Sequence, residues 1–259
     1  MNIAFSVDVE RDLKTSNLLG ITSGLAILEK LLDKYKIKAT FFVVAELLIL
    51  KPEIFLSLKR KGHEIALHSY NHKRYDQLSI SEKSKDLAKS VKVYLNLFKA
   101  NPKGFRAPQH SIDQDSFKLL KKFNFIYDSS NVPGNALLFR HLIKKTKKLE
   151  ILGNFFSKMK VYKKQGVLEI PSPAFLFSVD SFGLKLYPMF FVKILVFLHK
   201  LFKIPFIFNI HSWDLIETKG SKINYLTPQK KFLEKLDKFL AYTSKRFRYT
   251  KLANFSKNE

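Results

Sequence analysis

Short apolar runs alternate with helical patterns along this chain, and that alternation limits its fold more than any other feature. "NIAFSVD" (2–8) reads as a buried first strand, and "ITSGLAILEKLLDKY" follows with Leu25, Leu28, Leu31 and Leu32 at helical spacing. "KATFFVVA" (38–45) reads as the next strand, and "KPEIFLSLKRKGHEIALHS" predicts a helix, a stop at Gly62 and a third strand. A polar helix is expected over about 79–98, and "KGFRAP" reads as a strand end broken by proline. "SFKLLKKFNFIYDSS" predicts another helix and strand, while "GVLEIPS" (166–172) and "PFIFNIHSW" (205–213) predict later strands. An amphipathic helix over about 227–248 closes the pattern. With no repeat or low-complexity linker, one domain spanning 1–259 is expected. Such alternation predicts an α/β fold, a mostly parallel sheet with helices outside, either as a barrel or as an open doubly wound sheet. In both, chemistry gathers at the carboxyl ends of the strands.

Polar residues collect at those ends. Asp8 and Glu10 follow the first strand, His68 and His72 the third, Arg106 the fourth, Asp128 the fifth and His211 the last. In an extended segment Asp8 and Glu10 point to the same side, so one carboxylate can bind a cation while the other handles protons. An isolated D-x-E is also an ordinary polar strand end or helix cap. His68 and His72 fall on one face if "HSYNH" turns helical, and two neutral imidazoles at that spacing suit a divalent transition metal. A same-face carboxylate would complete a His₂–carboxylate site with positions open for water and substrate, which makes hydrolysis the expected reaction. Zinc is the usual ion for such ligands, and cobalt, nickel or manganese fit them too.

Composition narrows the remaining classes. Hydrophobic residues make up 46% and charged residues 26%, which excludes a disordered chain, and 259 residues can bury a large core. The absence of cysteine removes disulfides and thiolate metal sites. "MNIAFSVDVE" has no basic start and no long apolar stretch, so a cytoplasmic chain is expected. The net charge of +24 has two readings: a solvated lysine-rich surface, or attraction to an anionic partner such as a lipid headgroup or phosphorylated glycan carrier. Because the lysines are spread from Lys14 to Lys257, nucleic acid is not expected as a partner. "YPMFFVKILVFLHKLFK" (187–203) is apolar on most of its circumference, with Lys193 and Lys200 on one stripe. It is too short and too charged to span a bilayer, which takes about 20 apolar residues. It reads either as a helix clamped against the barrel or as one lying on an anionic membrane surface, at the inner membrane face.

"SVDVE", "HSYNH", "FRAP", "YDSS" and "NIHSW" together resemble, in order and rough spacing, the motifs of the polysaccharide deacetylase family, the NodB-homology carbohydrate esterases, over about residues 3–213. The resemblance implies an irregular (β/α) barrel of about seven strands and metal-dependent removal of an acyl group, usually N-acetyl from an amino sugar. It implies Asp8 as catalytic base, His68 and His72 as metal ligands, and Arg106 as the partner that keeps the base ionised. It further implies the backbone N–H of Gln109 as an oxyanion donor and His211 as the general acid that protonates the leaving amine. The family's first motif commonly has adjacent aspartates, so Glu10 is expected as third ligand, with Asp12 as the alternative. Where many members hold an aspartate that tunes the acid histidine, this chain has Asn131, and Asp128, Glu169 or Asp214 could serve instead. Trp213 is expected either as an apolar wall beside the acyl group or sugar or as a packing residue, and His110 as a substrate contact. His63 is expected at a strand start, and His141 and His199 on helices. Two other readings remain open here: an amidohydrolase or deformylase acting on a lipid-linked sugar or small non-sugar amide, and a catalytically silent glycan-binding barrel.

Overall fold

The computed structural model describes residues 2–13, 15, 17–133, 159–172, 177–217 and 227–257. Its strands are β1 (Asn2–Val9), β2 (Thr40–Val43), β3 (Glu64–Leu67), β4 (Gly104–Phe105), β5 (Tyr127–Asp128), β6 (Tyr162–Lys164), β7 (Val167–Glu169), β8 (Phe206–His211) and β9 (Arg248–Tyr249). They form one sheet in the order β6-β7-β5-β4-β3-β2-β1-β8, with β9 also paired to β1. From β7 to β8 seven strands run parallel, in line with the expected number, and the sheet curls into a half-barrel. The antiparallel β6 and the two-residue β9 have too few residues to show a period in the sequence.

The helices are α1 (Leu25–Lys34), α2 (Ala45–Leu50), α3 (Pro52–Arg60), α4 (Ile80–Phe98), α5 (Gln114–Lys122), α6 (Ser181–Leu186), α7 (Met189–Leu201) and α8 (Gln229–Ser244). Ser79 and Glu82 form a capping box at the start of α4, which fixes that helix at its expected first residue. The strand read over 38–45 is shorter than expected, because Ala45 already begins α2. The N–H groups of Ala45 and Glu46 donate to the carbonyls of Ser69 and Tyr70, contacts that only the tertiary fold supplies.

Strand β1 sorts its side chains by the two-residue period. Ile3, Phe5, Val7 and Val9 enter the main core beneath the helices, while Ala4 joins Phe42, Ala66, Tyr127, Leu168 and Ile207 in a smaller cluster. Along that second face Ala4 is followed by Ser6 and then Asp8, so the strand passes from apolar to acidic toward its carboxyl end. The neighbouring β8 places Asn209 beside Ser6 and His211 beside Asp8. A single parallel register therefore brings four polar side chains to the same end of the sheet.

Candidate active site

The pair His68 and His72 is not helical. Ser69 and His72 both adopt left-handed backbone, with φ of 66° and 62°, and the His72 N–H donates to Ser69 Oγ at 2.9 Å. This tight turn, rather than the expected helical face, brings the two ring centroids to 5.1 Å. Glu10 completes the group: its Oε2 contacts His72 Nε2, and one ligand atom from each of Glu10, His68 and His72 lies within 4.8 Å of the others. Asp12, the alternative third ligand, is engaged elsewhere. Its two oxygens accept the N–H groups of Leu19 and Gly20 at 2.8 Å, capping the π-helical turn (Gly20–Gly24) that leads into α1.

The protonation states suit a cation. His68 Nδ1 lies 2.7 Å from the Arg106 carbonyl, which can only accept, so the proton sits on Nδ1 and Nε2 keeps its lone pair. Burial pushes His68 down to about 4, leaving the ring neutral near pH 7. Burial alone would raise Glu10, but the bond to His72 and the charges of His211 and His72 overcome it and hold Glu10 at about 2.

Asp8 sits beside this group in a different environment. The Nη1 of Arg106 donates to Asp8 Oδ1 at 2.7 Å, and Asn209 Nδ2 donates to Asp8 Oδ2 at 2.9 Å. Arg106 is fully buried and spends its other donors on Ser6, Asn209 and both the carbonyl and hydroxyl of Ser129. Burial raises Asp8, yet the Arg106 charge and the nearby imidazoles hold its carboxyl far below the usual carboxylate range.

His211 lies at the end of β8. Its Nδ1 is 3.4 Å from Asp214 Oδ2, which also accepts the His211 backbone N–H at 2.8 Å. Lys185 Nζ, itself buried on α6, donates to Asp214 Oδ1 at 2.5 Å. Burial opposes a charge on His211, but the bond to Asp214 and the charges of Glu10, Asp214 and Asp8 raise it to about 9. Of the three carboxylates considered as its partner, Asp214 therefore serves. Asp128 bonds the N–H and hydroxyl of Ser130, and Glu169 accepts the Asn131 N–H at 3.0 Å.

Trp213 does more than either expectation held. Its ring stacks on His211 at 4.4 Å and its Nε1–H donates to Glu10 Oε1 at 2.8 Å, so it links the two halves of the group. The loop carrying it packs directly on the π-helical turn, where a Cβ on Gly20 would come within 2.8 Å of the Trp213 nitrogen and one on Gly24 within 2.7 Å of the Ser212 carbonyl. Gln109 and His110 are again left-handed, with φ of 53° and 58°, and His110 Nδ1 bonds the Ser130 carbonyl at 3.0 Å. His63 lies just before β3 and His199 on α7, as expected, each with Nδ1 bonded to backbone, whereas His141 lies outside the described residues.

Residues 22–127 match the model of the family described as polysaccharide deacetylase. Over that segment, 106 of the 259 residues, the chain is similar to this family. The "peptidoglycan deacetylase-like protein FGM2" of Gibberella zeae is 34% identical over 118 residues, which is 45% of this chain and 35% of that protein. The peptidoglycan deacetylase of Helicobacter pylori is 30% identical over 107 residues, 41% of this chain and 36% of that one. The chain thus spans about a third of the length of these curated relatives. Among solved structures, a putative polysaccharide deacetylase from Mycobacterium smegmatis superposes with a TM-score of 0.71 at 17% identity, covering 99% of this chain and 89% of that one, which shows the shared fold.

The segment that matches this deacetylase family contains His68, His72 and Arg106 but neither Asp8 and Glu10 nor His211. The fold unites the two sets. Sequence reasoning missed Ser6, Asn209 and Lys185. The first two carried a usable signal, since each stands two residues before a singled-out side chain on its strand and so shares its face. Lys185 carried none, as one lysine among many on an apolar helix.

Proposed function

We propose that the chain is a metal-dependent deacetylase that removes an N-acyl group, acetyl in the simplest case, from an amino sugar of a cell-surface glycan. The observation that carries this reading is the convergence of Glu10, His68 and His72 beside the Asp8–Arg106 pair. The donor set fits a divalent cation: an ionised carboxylate, a neutral imidazole with its lone pair on Nε2, and a second imidazole at the same point. A bound cation, zinc first and cobalt, nickel or manganese by the same ligands, would polarise the acyl carbonyl and acidify water there.

The chain's own groups divide the proton work. Asp8 remains ionised because Arg106 and Asn209 fix both its oxygens, and it accepts a proton from the attacking water. His211, raised to about 9, carries a proton at neutral pH and delivers it from Nε2 to the leaving nitrogen, while Asp214 holds Nδ1. The Gln109 N–H, set on its left-handed turn, is assigned to the developing oxyanion. Trp213 keeps Glu10 and His211 in register and offers an apolar face beside the acyl group.

Wild type and His68→Ala, stripped and reloaded with zinc, separate the parts of this reading. Wild type is expected to hold one ion per chain by elemental analysis and to release free amine from N-acetylated sugar oligomers. His68→Ala is expected to lose metal affinity by more than the about 10–100-fold that removing a ligand's hydrogen-bond partner costs. Undiminished metal binding by the variant would overturn the site. A loaded wild type that hydrolyses only small non-sugar amides would overturn the substrate class.

A further inference from the structure

Helix α7 buries one face and leaves the opposite face apolar. Val192, Leu195, Val196 and His199 are buried, while Phe190, Ile194, Phe197 and Leu201 are 67%, 48%, 55% and 58% exposed. These four follow the helical spacing i, i+4, i+7 and i+11, which makes one straight ridge about 17 Å long at 1.5 Å per residue. Phe202 extends it past the helix end and is 53% exposed. A soluble helix ordinarily places polar residues opposite its buried face, so this ridge is what needs explaining.

The ridge has a charged border of a single sign. Lys193 and Lys200 stand seven residues apart along one flank, with Nζ over the rings of Tyr242 and Phe247 at 5.1 and 5.8 Å, and Lys203 follows Phe202. Arg246 lies against Tyr242 at 4.3 Å on the same flank. No Asp or Glu occurs between Asp180 and Asp214, and the whole chain carries +24. Lysines beside an apolar ridge, their ammonium groups resting over aromatic rings along one flank, match the boundary between acyl chains and anionic headgroups.

We propose that α7 is a peripheral docking element that lays Phe190, Ile194, Phe197, Leu201 and Phe202 into the headgroup boundary of an anionic lipid bilayer. Two features favour lipid over a second protein. A protein partner that binds stably covers about 800 Å² of a complementary surface on each side, whereas a narrow convex ridge of five side chains demands a groove to receive it. A fluid bilayer accepts a ridge of any shape, and its anionic headgroups answer the lysine border. No helix among the described residues is long and apolar enough to cross a membrane, so the contact is one of lying on the surface.

The test is flotation of the purified full chain with vesicles of phosphatidylcholine alone or mixed with phosphatidylglycerol, over a range of salt. Wild type is expected to float with the mixed vesicles, and part of the binding is expected to survive salt that screens surface charge. Phe190→Ser with Phe197→Ser is expected to weaken binding about tenfold per phenylalanine and to abolish the salt-resistant part. Both residues are largely exposed, so circular dichroism and melting should remain those of wild type. Lys193→Glu with Lys200→Glu is expected to lower binding to mixed vesicles only. Equal flotation of the double serine variant would show that net charge alone drives binding and would overturn the proposal. So would a concentration-dependent dimer of wild type that the serine substitutions dissociate while vesicles capture nothing.

Discussion

Two buried carboxylate sites lie at the carboxyl ends of this sheet, and their environments push them in opposite directions. At β1, Asp8 meets the fully buried Arg106 guanidinium and the Asn209 amide, so its charge is retained against burial. At β5 and β7, Asp128 and Glu169 meet each other. Both are fully buried and both are raised by burial first, with Glu169 raised further by the Asp128 charge. Glu169 Oε2 finds no donor among the described residues, which is the signature of an oxygen that carries the proton itself and donates to Asp128. Burial is therefore the same in the two places, and the neighbouring charge decides which acid stays ionised. The ionised first site suits the proton transfer proposed for it, whereas the second keeps a proton within the buried pair.

The largest effect that would break this contrast is expected from Asp8→Asn. Removing the proposed base should lower turnover about 10²–10⁴-fold. The amide also leaves Arg106 buried without its counter-charge, so stability should fall by about 3 kcal/mol or more. Chemical denaturation alongside amine release checks both numbers. A variant with full activity would place the base elsewhere.

A smaller effect is expected from Asp214→Asn, which probes the acid rather than the base. In its proposed role as acid His211 must be protonated, so activity should fall as pH rises through its value of about 9. Without the Asp214 charge the imidazolium loses its strongest support against burial, and the alkaline limb of kcat/KM should move down toward the ordinary histidine value of 6.5. An alkaline limb that stays in place would remove His211 from the role of acid.

The contrast also explains what the sequence made legible. Residues on regular strands were legible because a two-residue period fixes their side: Asp8 and His211 share an end of the sheet because β1 and β8 pair in parallel register, Asp8 beside His211. The HxxxH spacing was legible as a pair, but for the wrong reason, since a left-handed turn at Ser69 and His72 has no periodic signature. The choice between Glu10 and Asp12 could not be read, because it depends on where the π-helical turn arrives to claim the Asp12 oxygens. The partner of His211 was equally hidden: Asp214 and the buried Lys185 meet only after α6 packs under the end of β8.

The smallest effect, and the sharpest test of the comparison, is expected from Glu169→Gln. The change is again carboxyl to amide in a fully buried site, so a view based on burial alone predicts damage like that at Asp8. A protonated Glu169 predicts otherwise, because glutamine places an N–H donor where the acid carries its O–H, and stability near neutral pH should stay within about 1 kcal/mol of wild type. The sign of the pH dependence follows from linkage. A carboxyl raised in the folded state contributes stability that is fully present below its unfolded value of about 4.5 and is lost as pH climbs through the folded value. Wild type should therefore weaken progressively above about pH 4.5 through this pair, and Glu169→Gln should flatten that slope without changing the pH profile of activity. Urea midpoints across the range read the difference directly. A variant as damaged as Asp8→Asn would mean that Glu169 is ionised and held by an opposing charge, and the two sites would then obey one rule rather than two.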